Sequence, residues 1–181
     1  MAGGTFIAVV GPSGSGKDSL IRAALARRTD VAMARRVITR PADATEDFEP
    51  VLTTDFELRQ AAGEFALSWA AHGLLYGISN RIDADSNAGR HVLANLSRSV
   101  IDQARRRFQP FRVVVVDAPA EVLAIRLAGR GREDAADIVA RLERAKYLRP
   151  DGADVTVVDN GGELETAVAA FLATMPQPVS A

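Results

Sequence analysis

The chain has 181 residues, 48% of them apolar and 25% charged, which suits one globular domain with a full buried core. A net charge of −1, from 22 Lys and Arg against 23 Asp and Glu, lacks the overall positive field that non-specific nucleic-acid binding needs, so any basic function is local. The absence of cysteine excludes a disulfide framework, a thiolate metal site and a cysteine nucleophile. No apolar run approaches the roughly 18 to 20 residues of a membrane span, and residues 6–10 are too short a run for a signal peptide. The expected location is the cytoplasm, with neither nucleic acid nor membrane as a partner.

In chain order, short runs of β-branched residues alternate with helical periodicity, the pattern of a parallel sheet covered on both faces. Residues 6–10 predict a strand, followed by a glycine-rich turn and a helix over 18–29. A strand is expected over 36–39, then an irregular polar surface segment over 41–54 carrying Asp43, Glu46, Asp47 and Glu49. A helix over 55–62 stops at Gly63. Strands over 91–94 and 112–116 follow, then a helix over 119–128 that opens on Pro119 and ends at Gly129. A helix over 134–148 ends before Pro150. A fifth strand over 154–158, a helix over 163–175 and a frayed tail over 176–181 complete a single α/β domain spanning 1–181, with a five-stranded parallel sheet.

The turn after the first strand is Gly11-Pro12-Ser13-Gly14-Ser15-Gly16-Lys17. Lying between an apolar strand and a helix, it reads as a phosphate cradle rather than a linking turn. Its glycines permit positive φ, so successive amides can face a polyphosphate while the helix adds its N-terminal dipole. Lys17 supplies a point charge for the β- and γ-phosphates. The usual pattern has Ser or Thr after the lysine, whereas here Asp18 holds that place and Ser19 follows. Either Ser19 holds Mg²⁺, or Asp18 serves the helix N-terminus as a favoured acidic residue. The nucleotide loop is taken as Gly11 through Ser19, with ATP and Mg²⁺ the expected cofactors.

Three further stretches belong with it: Ile38-Thr39-Arg40-Pro41; Gly63-Glu64-Phe65 with Trp69-Ala70-Ala71-His72-Gly73 and Tyr76-Gly77; and Arg126-Leu127-Ala128-Gly129-Arg130-Gly131-Arg132-Glu133 with Arg141-Leu142. Through these the chain resembles the guanylate-kinase-like branch of P-loop kinases over nearly its whole length, and within it the ribose 1,5-bisphosphate phosphokinases. The resemblance implies a nucleoside-monophosphate-kinase-like three-layer fold, an acceptor-binding subdomain over 36–85 and a lid over 128–137. It also implies that Arg40 grips the acceptor phosphate, that the Tyr76 hydroxyl contacts phosphate, and that the segment with Arg130, Arg132 and Arg141 closes over the site.

Deviations fall where guanylate kinases read guanine. By spacing, Leu67 stands in the place of the glutamate on the base edge, and leucine neither donates nor accepts a hydrogen bond. The aspartate pair of the third strand becomes Asn95 and Ser97, followed by Arg98, as in the ribose-bisphosphate enzymes. A sugar bisphosphate is therefore expected in place of GMP. Thr45-Glu46-Asp47 replaces a Gly-Gly-Glu pattern, and Asp47 is the carboxylate taken as a contact.

Arginine suits phosphate because its planar fork offers paired donors that stay protonated. Arg40 precedes Pro41 at a strand end, where a helix-surface ion pair is not at hand. Arg130 and Arg132 flank Gly131 as in a closing lid, and a solvated loop has the same composition. Of Arg141 and Arg144, which also suit surface pairs, Arg141 is taken. The run Arg105-Arg106-Arg107 reads as a solvated helix end. His72, near Tyr76, either touches the acceptor or makes a structural hydrogen bond. Neither it nor His91 has the carboxylate neighbours of a metal site. Trp69 reads as a core anchor. Asp117 either orders nucleotide and Mg²⁺ or caps the following helix.

The expected reaction is ATP-dependent phosphorylation of ribose 1,5-bisphosphate to 5-phosphoribosyl 1-diphosphate (PRPP), with release of ADP. Lys17, Arg130 and Arg141 would stabilise transfer; Arg40, Tyr76, Asn95, Arg98, His72 and Asp47 would hold the sugar phosphate. The resemblance further implies a part in phosphonate catabolism and PRPP biosynthesis. A nucleoside monophosphate kinase that reads its base differently and a catalytically silent binding module are the alternatives. The sequence does not fix the oligomeric state, a homodimer being one arrangement it allows.

Overall fold

An unbroken run of apolar residues is suited to a strand covered on both faces, and Phe6–Val10 forms β1, buried along its whole length at the centre of a parallel sheet. The computed structural model describes residues 3–42, 46–128 and 150–178. Along them run β1 (Phe6–Val10), α1 (Lys17–Arg27), β2 (Val31–Met33), β3 (Arg36–Ile38), β4 (Phe48–Pro50), α2 (Thr53–Ala61), β5 (Phe65–Ala71) and β6 (Leu74–Ser79). There follow α3 (Ile82–Asn87), β7 (His91–Asn95), a 3-10 turn (Arg98–Val100), α4 (Ile101–Arg107), β8 (Phe111–Asp117), α5 (Ala120–Ala128), β9 (Val155–Asp159) and α6 (Leu164–Ala173).

The central sheet has the order β2-β7-β1-β8-β9, every pair parallel. Side chains alternate across its two faces. Phe6, Ala8 and Val10 join one core with Val92, Ala94, Val113, Val115, Ala104 of α4, and Leu67 and Ile78 of a second sheet. Ile7 and Val9 join the other with Leu20 and Ala24 of α1 and Val168 and Phe171 of α6. Each fully buried Val, Leu, Ile or Phe contributes about 1.5–3 kcal/mol, so these two cores outweigh the exposed ion pairs in holding the layers.

The second sheet has the order β4-β3-β6-β5, with β3 and β4 parallel and the other pairs antiparallel. The β5–β6 hairpin turns on His72 at φ 52° and Gly73 at φ 73°, consecutive positive values that match the twist of the strands they join. Phe56 of α2, 1% exposed, stacks on Phe65 of β5 at 4.6 Å between ring centres and fastens the helix to this sheet.

The central sheet has five strands, as expected, but not the expected five. Arg36–Ile38 belongs to the second sheet, and the remaining central strand is Val31–Met33, whose three residues are too few for a periodicity to emerge. The segment read as irregular surface contains β4, because Phe48, 3% exposed, is drawn into the second sheet. The tail expected to fray is tied down at its start. Arg28 donates to the Pro176 carbonyl at 2.9 Å, and His91 Nε2 lies 3.1 Å from the Gln177 carbonyl. Since His91 Nδ1 accepts from the Thr5 amide at 3.0 Å, the ring proton sits on Nε2 and is donated to Gln177. The predicted helix over 134–148 and the last three residues lie outside the described residues. Among the described residues no helix is long and apolar enough to cross a membrane.

Candidate active site

A parallel sheet gathers the ends of all its strands on one edge, and here the residues after Val10, Asn95, Asp117 and Asp159 share it. The loop after β1 lies where connections diverge, β2 and β7 to one side and β8 and β9 to the other, the place where open α/β sheets bind ligands. Gly14 and Gly16 have φ 84° and 85°. A Cβ at Gly16 would lie 2.3 Å from Asn160 Nδ2, and one at Gly11 would lie 2.1 Å from the Val116 carbonyl oxygen, so close approach as well as φ requires glycine.

Asn160, 3% exposed, donates from Nδ2 to the Ser15 carbonyl at 2.7 Å, and its amide donates to the Asp117 carbonyl at 2.7 Å. Among the described residues no side chain caps the start of α1, which leaves its first amides to an external acceptor. Ser15 Oγ and Asn160 Oδ1 are buried without a hydrogen-bond partner among the described residues. Such orphaned polar atoms are rare in folded proteins and here both lie at the loop.

The Lys17 ammonium spans the loop, donating to the Gly11 and Pro12 carbonyls at 2.9 Å each and keeping one of its three hydrogens for an anion. The residue as a whole is half-buried, but its charged end is enclosed. That burial lowers its pKa from 10.5 to about 8; Arg36 and Arg98 push the same way, and Asp18 and Glu46 oppose them.

Those four charges bring distant parts of the chain to the loop. Arg36 Nη2 and Arg40 Nη2 each donate to Glu46 Oε2 at 3.1 Å, and the Arg40 guanidinium lies over the Phe48 ring at 4.6 Å. Asn95, 6% exposed at the end of β7, donates to Asp18 Oδ1 at 3.0 Å. Ser97 accepts from the Ser99 amide and starts the 3-10 turn that carries Arg98. Lys17, Arg36, Arg40 and Arg98 are thus gathered with the carboxylates of Asp18 and Glu46, a set of cations suited to a polyanion. Among the described residues no group of three or more His, Cys, Asp or Glu could hold a metal ion by itself.

Other expected residues fall elsewhere. Asp47 pairs with Arg35 at 2.8 Å and is well exposed, and the carboxylate between the site arginines is instead its neighbour Glu46. Arg40, for which no helix-surface pair was expected, finds this loop carboxylate. Ser19 is exposed, whereas Asp18 is tied to Asn95. His72 is an exposed hairpin-turn residue. Tyr76 is half-buried and stacks on Trp69 at 5.3 Å between ring centres, and Trp69 packs against the first core as an anchor. Leu67, 1% exposed, is itself part of that core. Arg105 is not merely solvated: it pairs with Asp154 at 2.8 Å and ties α4 to the start of β9. Arg130, Arg132 and Arg141 lie outside the described residues.

Sequence reasoning missed Arg36, Glu46 and Asn160. Arg36 carried no signal of its own, since it opens β3 while Arg40 lies beyond the strand's end at Ile38, and the two are joined through Glu46.

Residues 1–159 match the family model nSTAND1, Novel STAND NTPase 1. The chain is 49% identical over 169 residues to ribose 1,5-bisphosphate phosphokinase PhnN of Ruegeria sp., covering 92% of this chain and 89% of that protein. It is 52% identical over 172 residues to the protein of the same name from Acidiphilium cryptum, covering 93% and 91%. In fold it is similar to guanylate kinase from Anaplasma phagocytophilum, with TM-score 0.64 over 96% of this chain and 85% of that one at 20% identity.

Proposed function

Matched over residues 1–159 by an NTPase model, the chain belongs to the ribose 1,5-bisphosphate phosphokinase family and is a kinase with a guanylate-kinase-like fold, and from that premise we propose that it phosphorylates ribose 1,5-bisphosphate with ATP. The products are 5-phosphoribosyl 1-diphosphate and ADP. The observation that carries this reading is the gathering of Lys17, Arg36, Arg40 and Arg98 around a glycine loop with an uncapped helix start.

In the reaction an oxygen of the acceptor's 1-phosphate bonds to the γ-phosphorus as the bond to the β,γ-bridging oxygen breaks, and ADP leaves with that electron pair. No general base is needed, because a phosphate monoester with a second pKa near about 6 is already mostly dianionic at neutral pH. What the protein must supply is charge neutralisation and alignment of two anions, for which cations rather than an acid-base dyad are required. The loop from Gly11 to Ser19 cradles the triphosphate on its backbone N–H groups, which Pro12 alone lacks, with Lys17 on the β- and γ-phosphates. Arg40 and Tyr76, from a subdomain over 36–85, hold the acceptor together with Asn95 at the end of β7 and Arg98 in the turn after it, and Arg130, Arg132 and Arg141 would stabilise transfer, the first two from a lid over 128–137.

Magnesium would arrive with ATP and offset phosphate charge. Asp18 and Ser19 at the start of α1 are hard oxygen donors of the kind that hold it beside phosphates, and with one Asp18 oxygen engaged by Asn95 the other is left to such a cation. In the cell this reading implies a cytoplasmic enzyme that supplies PRPP during phosphonate breakdown.

The NTPase and phosphokinase names differ in the acceptor, water in one case and a phosphorylated sugar in the other. Identity of 49% and 52% along about nine-tenths of the chain favours the sugar. ADP release measured with ribose 1,5-bisphosphate, with GMP and with neither decides the matter. Turnover should require the sugar bisphosphate; equal release without acceptor, or faster release with GMP, would overturn the proposal.

A further inference from the structure

We infer that Arg36 is a further acceptor-phosphate residue, forming with Arg40 a paired-guanidinium seat in which Glu46 stands in for the phosphate. The inference rests on the acceptor reading above and adds to it a residue and a displacement step.

Arg36 is a strand residue whose side chain is only 13% exposed, whereas that of Glu46 is 29% exposed. A guanidinium drawn in from solvent needs compensation, and among the described residues its side-chain hydrogen bond is to Glu46. That one carboxylate oxygen serves two cations at once, Arg36 and Arg40, at 3.1 Å from each. Charge-assisted N–H···O bonds favour about 2.7–2.9 Å, so one oxygen shared between two forks gives neither its best length.

A phosphate suits the pair better. It brings three acceptor oxygens and close to two negative charges, where Glu46 brings one charge and one shared oxygen. Arg36 has five N–H donors in a planar fork and can give a pair of them to one phosphate. The position is also right. Arg36 acts on the charge of Lys17, as Arg98 does, so it lies within electrostatic reach of the loop where the acceptor must meet the nucleotide. Acceptor binding then displaces the Glu46 carboxylate from between the two forks.

The test is steady-state kinetics on wild type, Arg36→Lys and Arg36→Met, with thermal unfolding of each. Lysine keeps the charge and loses the fork; methionine keeps the apolar stem and loses both. The KM for ribose 1,5-bisphosphate should rise about tenfold or more in R36M and about threefold or more in R36K, with the KM for ATP within about twofold of wild type. An acceptor KM within about twofold of wild type in both variants, or acceptor and ATP KM rising together, would overturn the inference. If R36M does not fold, R36K decides by the same criteria. Should wild type fail to turn over ribose 1,5-bisphosphate, the acceptor reading falls by itself. Arg36 is then judged by calorimetric titration of inorganic phosphate into wild type and R36K, each saturated with a non-hydrolysable ATP analogue. Weaker phosphate binding by R36K upholds the seat, and equal binding removes it.

Discussion

Asn160 Nδ2 donates to the carbonyl of Ser15 at 2.7 Å, fastening the end of the last strand to the loop that follows the first. The partners are 145 positions apart in sequence, so the shape of the loop depends on β9 having docked. Asn160→Ala leaves the buried Ser15 carbonyl without this donor and should cost about 1–3 kcal/mol of stability. The loop loses its outer tether as well. Chemical denaturation and ATP titration should therefore show a lower midpoint and ATP binding weakened about tenfold; a loss of stability with unchanged ATP affinity would separate the tether from nucleotide binding.

Gly16→Ala strikes the same contact from the other side. A Cβ there would lie 2.3 Å from Asn160 Nδ2, on a residue held at φ 85°. The backbone strain alone is about 1–3 kcal/mol. The variant should fold, with a lower Tm by calorimetry, and lose most ATP binding, because relief requires the loop to move away from Asn160.

Lys17→Met should lower kcat/KM by about 10²-fold or more, the effect expected when a preorganised charge is taken from a developing anion. Single-turnover kinetics with saturating ATP would show the loss in the transfer step.

The pH dependence of Lys17 follows from burial, which holds its pKa at about 8 in the folded state against 10.5 for the exposed amine. Between these values the unfolded chain binds a proton that the folded chain has released, so this group makes stability rise as pH rises from about 8 toward 10.5. Nucleotide binding runs the opposite way. A triphosphate prefers the ammonium, so ATP affinity should fall as pH rises through about 8, and binding above that pH should take up protons. Calorimetry in buffers of different ionisation enthalpy would measure the uptake; a pH-independent affinity between pH 7 and pH 9.5 would contradict it.

Leu67→Glu asks whether a guanine-reading carboxylate can be restored by one substitution. It cannot, if Leu67 is the core residue seen here, packed in one cluster with Ala34 and Ile78 at 1% exposure. The variant should lose about 3–5 kcal/mol for an unpaired buried charge and gain no turnover of GMP, as denaturation and an ADP-release assay would show.

Features with a strong local signal were readable from sequence. The glycine loop and the unbroken apolar run of β1 are two, and the helices expected over 119–128 and 163–175 and found at Ala120–Ala128 and Leu164–Ala173 carry apolar periodicity with Pro or Gly at an end. Asn95 and Arg98 were reached through resemblance, and the Asp18 contact of Asn95 could not have been, because it joins side chains 77 positions apart. β2 and β4, three residues each, have no periodicity to read and exist because neighbouring strands offer them hydrogen bonds. Arg36 sat inside a strand, and strand arginines by default face solvent. Only the fold of the following loop, which brings Glu46 back across β3, marks it as part of the site.

The alternation of β1 between two cores makes this strand a ruler for the whole molecule. Phe6, Ala8 and Val10 serve one layer and Ile7 and Val9 the other, and Gly11 begins where the count ends. Inserting or deleting one residue would exchange the two sets and slide the cradle by about 3.3 Å along the sheet. Length variation among proteins of this architecture should therefore be absent between positions 6 and 17 and tolerated in the connections at the opposite edge.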